Sequence, residues 1–137
     1  VYRRGPASAA QTAHHPTLNI ILICLGGSLG AVSRFYLSNL FNKSENLEIP
    51  IGILFVNIFG CFLLGLFYNL MDSNLEKFLT PFLFVGFLGA FTTFSAFSRE
   101  SLDLISSGNF WAALVYVSVS IFSCLGATWI GMYLTKG

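Results

Sequence analysis

Gly86-Phe87-Leu88-Gly89-Ala90-Phe91-Thr92-Thr93-Phe94-Ser95-Ala96-Phe97 joins two glycines, three hydroxyl residues and four phenylalanines without a single charge. Its apolar surroundings make it a membrane segment, and in hydrocarbon every backbone N–H and C=O needs an internal partner. Each glycine costs a helix about 1 kcal/mol against alanine. Thr92, Thr93 and Ser95 carry hydroxyls able to bond nearby backbone in place of the helical ladder. The stretch therefore predicts a helix broken around residues 89–95, with a continuous but kinked helix as the competing reading. Broken membrane helices expose backbone groups that bind ions or substrates.

The rest of the chain supports a bilayer setting. Of 137 residues, 55% are hydrophobic and only 9% charged, with a mean hydropathy of +0.74; a soluble domain carries about 25% charged residues. Residues 5–33, 49–71, 78–98 and 104–135 contain no Asp, Glu, Lys or Arg. Each leaves an apolar core near the roughly 20 residues that cross a bilayer. The expectation is an all-α integral membrane protein with four transmembrane helices, near Thr17–Phe41, Pro50–Met71, Phe78–Arg99 and Phe110–Leu134. Residues 1–16 are polar, hold Arg3, Arg4, His14 and His15, and read as a flexible leader or an expression remnant. Residues 17–137 then form one transmembrane domain.

A net charge of +1 argues against nucleic-acid or acidic-polymer partners. Topology is poorly specified. Arg3, Arg4, Lys77 and Lys136 fall on one side, and Lys43 and Arg99, with Arg34 late in the first span, on the other. The positive-inside rule has almost no bias to act on, so insertion both ways round is plausible. Cys24, Cys61 and Cys124 lack CxxC spacing and read as small packing residues rather than as metal or disulfide chemistry.

Span one carries Gly26/Gly30 and Gly27/Ala31, small residues four apart that admit a neighbouring helix, within the chain or from a partner. Arg34 either snorkels to the headgroups or anchors an aqueous vestibule. Pro50 opens span two, a good first-turn residue, and Pro81 lies near the first turn of span three. In span two, Asn57 is either interhelical glue or the lining of a polar path, since an unbonded amide is costly in hydrocarbon. Tyr116, Ser120, Cys124 and Thr128 recur every four residues in span four, a weakly polar stripe.

No Asp, Glu, Lys or His is expected inside the spans. That weighs against proton-coupled exchange, which needs an intramembrane ionisable group, and against intramembrane proteolysis; the chain reads as a non-enzyme. What remains is a set of neutral donors (Asn57, Thr92, Thr93, Ser95, Ser120 and Tyr116) and the rings of Phe94 and Phe97. Ring edges are electropositive, and positions three apart share a helical face, so the pair suits a small desolvated anion.

In order, Gly26-Gly27-Ser28-Leu29-Gly30-Ala31-Val32-Ser33-Arg34-Phe35, Gly52-Ile53-Leu54-Phe55-Val56-Asn57-Ile58-Phe59-Gly60 and Gly86–Phe97 resemble the motifs of the CrcB (Fluc) fluoride channels, over residues 18–134. The second and third motifs together are highly specific. The resemblance implies a passive fluoride exporter in the cell membrane giving fluoride resistance, built as a dual-topology antiparallel homodimer with two pores; a paralogue is the other candidate partner. It assigns Asn57, Phe94, Phe97, Thr93, Ser95, Tyr116 and Ser120 to the fluoride pore and Arg34 to the vestibule. It assigns Gly89 and Thr92 to a structural Na+ held by backbone carbonyls at the dimer interface. Cys124 departs from the usual Gly or Ser, and Ala96 from the usual Thr. The rival functions are a dimeric exporter of a small solute or organic cation and a non-transporting membrane scaffold.

Overall fold

A computed structural model describes residues 16–42, 49–70 and 73–136. The leader assigned to residues 1–16 lies outside them except for Pro16. Among the described residues all regular structure is helical: α1 (Pro16–Phe41), α2 (Ile51–Tyr68), α3 (Ser73–Leu79), a π-helical segment (Thr80–Leu88), a single turn α4 (Gly89–Phe91), α5 (Phe94–Ser106) and α6 (Phe110–Leu134). By length and composition these make four membrane-crossing units: α1, α2, the composite residues 75–106, and α6.

The third unit is longer than its sequence implied. Its first helix already starts at Ser73, ahead of the expected Phe78, because Pro81 does not open it, and its last helix runs on to Ser106, past the expected Arg99. Proline inside an α-helix lacks the N–H for the ladder and clashes with the carbonyl four residues back. Here Pro81 sits at the start of the wider π turns, which are commonly found where an α ladder is interrupted. The far end closes with Gly108 at φ 83°. Gly108 N–H donates to Ile105 O at 3.0 Å and Asn109 N–H to Leu104 O at 2.9 Å, the paired bonds of a Schellman stop.

Packing falls into two tight pairs, α1 on the π segment and α2 on α6. Both seams are built on glycine, since close backbone approach rather than hydrophobicity drives association in lipid. A Cβ on Gly26 would lie 2.1 Å from Phe82 O, and one on Gly30 2.2 Å from Phe87 O. The Gly26/Gly30 pair is thus used within the chain. In the second seam a Cβ on Gly65 would lie 2.1 Å from Thr128 O, and one on Gly131 2.5 Å from Phe62 O. Polar clips close the ends: Gly52 N–H donates to Asn42 Oδ1 at 2.8 Å, and Asn69 Nδ2 to Met132 O at 2.7 Å.

These contacts set a stability prediction. Gly26→Ala or Gly30→Ala should cost about 1–3 kcal/mol, because backbone must move to admit the methyl group. Gly27→Ala, whose Cβ would stand 3.9 Å from Gly86 O, should be close to neutral. Thermal unfolding of the three variants in detergent checks the contrast; equal midpoints would refute it.

Candidate functional site

The third unit breaks where the hydroxyl residues lie. Thr92 (φ −77°, ψ 146°) and Thr93 (φ −147°, ψ 117°) are extended between α4 and α5. Thr92 closes the first half, its Oγ1 donating to Leu88 O at 2.8 Å. Thr93 opens the second as its N-cap, with Oγ1 accepting from Ala96 N–H at 3.3 Å and lying 3.0 Å from Ser95 Oγ. A hydroxyl at this position satisfies one of the donors a helix start leaves over.

Asn57 holds the break from α2. Its Oδ1 accepts from Thr93 N–H at 2.8 Å, while its Nδ2 donates to Thr93 O at 3.2 Å. The amide therefore replaces the missing helical acceptor of Thr93 N–H, adds a second bond to the Thr93 carbonyl that starts α5, and keeps a second N–H on Nδ2. Gly60, one turn along, lets the break sit close: a Cβ there would be 2.4 Å from Thr92 Cγ2.

The break takes the regular donors from the carbonyls of residues 89–92, Gly89 and Thr92 among them. An unbroken helix would give Thr93 N–H to Gly89 O and Ala96 N–H to Thr92 O. Here those donors go to Asn57 Oδ1 and Thr93 Oγ1.

Beyond the break, α5 presents an aromatic ladder to α6. Phe94 and Phe97 have ring centroids 5.3 Å apart, and Phe97 and Tyr116 5.6 Å apart. Phe97 is 9% exposed and Tyr116 only 1%, whereas Phe94 is 78% exposed. One chain thus encloses only part of the ladder. Ser120, one turn from Tyr116 on α6, is buried, and its Oγ finds no hydrogen-bond partner of acceptable geometry among the described residues. A buried hydroxyl without a partner is uncommon and costly. Arg34 is half-buried on α1, and no polar contact joins it to these residues.

One member of the group was missed in the sequence. Glu100 is buried, and Tyr116 Oη donates to its Oε2 at 2.5 Å. The expectation that the spans contain no carboxylate is corrected: ending the third span at Arg99 left Glu100 outside, whereas α5 runs on to Ser106. The signal was present, because Phe97, Glu100, Ser101 and Leu104 follow the spacing of one helical face, and all four are buried. Glu100→Ala should strand the buried Tyr116 hydroxyl and cost about 1–3 kcal/mol. Glu100→Gln, which keeps an acceptor, should recover most of that; equal losses in thermal unfolding would count against the pair.

The sequence model of the family described as CrcB-like protein, Camphor Resistance (CrcB), matches residues 21–132. The chain belongs to the CrcB family. Its CrcB relatives match over nearly their whole length. A protein of Campylobacter jejuni (strain 81116) named "Fluoride-specific ion channel FluC" is 40% identical over 121 residues, 87% of this chain and 99% of the relative. Proteins of the same name from Flavobacterium psychrophilum and Coxiella burnetii (strain Dugway 5J108-111) are 39% and 36% identical, each covering at least 85% of this chain and 96% of the relative. The matched region contains the break, Asn57 and the α5–α6 ladder.

Proposed function

We propose that this multi-pass membrane protein is a fluoride channel, passive and selective, that lets F− leave the cytoplasm. The observation that carries the reading is the near full-length correspondence to CrcB relatives named as fluoride-specific ion channels. The geometry supports a route for a small anion. The spare Asn57 N–H and the partnerless Ser120 hydroxyl are neutral donors. Phe94, Phe97 and Tyr116 add ring edges, with Thr93 and Ser95 as neighbouring hydroxyls. Weak neutral sites suit conduction, which requires binding loose enough to release the ion. Arg34 would gather anions at the vestibule.

The working unit in this reading is an antiparallel homodimer with two pores. The near-balanced Lys/Arg distribution supports insertion both ways round. So does the outward-facing Phe94, which needs a second surface to complete an enclosed path. Gly89 and Thr92 would contribute their carbonyls to a structural Na+ at the dimer interface. The diversion of their helical donors supports this, since hard cations take oxygen ligands.

Fluoride efflux from liposomes containing the purified protein, read with a fluoride electrode, tests the function. Rapid F− release with negligible Cl− release is expected. No F− release from folded protein would sink the channel and favour a scaffold. Topology is tested separately with a cysteine placed at Ser107, between α5 and α6: labelling from one side should reach about half the copies, and full or zero labelling would refute dual insertion.

A further inference from the structure

Two cysteines meet on the α2–α6 seam, and neither belongs to the hydrogen-bonded break nor to the aromatic ladder. The register of the seam brings them together. α2 and α6 run parallel, with Gly65 against Thr128 and Asn69 bonded to Met132. Stepping about one turn back along both helices, roughly four residues each, pairs Cys61 with Cys124. Thr128 Oγ1 lies 3.1 Å from both Cys61 O and Cys124 O, so the two backbones converge there. The shared Thr128 contact sets Cys61 and Cys124 side by side on the seam, and both are half-buried, unlike the exposed Cys24 on α1.

We propose that Cys61 and Cys124 form a two-thiolate site for a soft d10 metal ion of the Cu(I), Ag(I) or Hg(II) class, bridging α2 to α6. Thiolates are the soft ligands such ions select. No group of three or more His, Cys, Asp or Glu exists among the described residues, which suits a two-coordinate ion and not tetrahedral zinc. Binding is a substitution without redox change. Each thiol releases its proton, two sulfur–metal bonds form, and two protons pass to the buffer. The next step back along the same seam reaches Asn57 and Ser120, so the metal would sit one turn from the donors assigned to fluoride. The metal site itself stands whether or not that assignment holds.

Hg2+ is the probe, added to the purified full chain carrying Cys24→Ala. Thiols are counted with Ellman's reagent after opening the protein in dodecyl sulfate. The expected result is loss of both thiols at one Hg2+ per chain, with the metal retained against an equimolar glutathione challenge. Cys61→Ser and Cys124→Ser, each in the same background, should surrender Hg2+ to that challenge. A requirement for two Hg2+ per chain, or equal retention by either single-thiol variant, would overturn the proposal. The count on the intact pair decides the matter even if a serine variant fails to fold.

Discussion

Asn57→Ala should lower fluoride efflux by about 100-fold or more while the chain still inserts. The side chain makes two bonds to the Thr93 backbone; losing both leaves the Thr93 N–H without a partner at membrane depth, whereas its C=O, at the N-cap of α5, keeps the first helical bond. That orphan costs about 1–3 kcal/mol, the lost second bond adds to it, and every 1.4 kcal/mol is tenfold in a rate or a population. Thr93 would then be drawn back toward the helical ladder, closing the break and re-aiming Phe94 and Ser95. Asn57→Asp keeps the acceptor for Thr93 N–H but loses the donor and adds a negative charge, so flux should stay low although the break persists. Efflux from liposomes, with thermal unfolding alongside, separates the effects. Wild-type flux in Asn57→Ala would remove Asn57 from the pathway and restore the scaffold reading.

Phe94→Ile and Phe97→Ile should each reduce flux by about 100-fold, equivalent to the loss of some 2.7 kcal/mol from the favourable edge contacts of a desolvated anion. Their effects on stability should differ. Phe97 is 9% exposed and packs at a tilt against Tyr116, so its replacement should also cost about 1–2 kcal/mol of packing. Phe94 is 78% exposed in the single chain, so unfolding of the monomer should barely respond. A shift in the dimer's dissociation with Phe94→Ile would fit the second surface proposed for this ring. Unchanged flux in both variants would exclude the rings from the path.

Much of this arrangement is legible in the residues themselves. The hydroxyls, glycines and phenylalanines of residues 86–97 declare a break because their effects are local: hydroxyls compete for nearby backbone, and glycine weakens the ladder. The break falls at Thr92 and Thr93, inside the expected range. The four spans were equally plain, since crossing hydrocarbon imposes a length and a composition on each segment. What the sequence could not say was how the pieces are shared. Asn57 was readable as glue or as pore lining, and the structure shows it engaged with Thr93 while retaining a spare donor.

Glu100 marks the other boundary. Read along the chain it belongs beside Arg99, at the polar end of a span. In the structure the Arg99 side chain is 76% exposed and pairs loosely with Asp103 at 3.9 Å, while Glu100 turns inward to Tyr116. A helix rotates about 100° per residue, so adjacent charges face opposite surroundings once the packing direction is set. Composition and spacing alone determined a four-span membrane protein with an interrupted third span, because those depend on each segment's own contact with lipid. The glycine seams, the amide clamp on Thr93 and the buried Glu100–Tyr116 pair were decided only by tertiary structure, because each joins residues far apart in the chain whose meeting depends on the register of one helix against another.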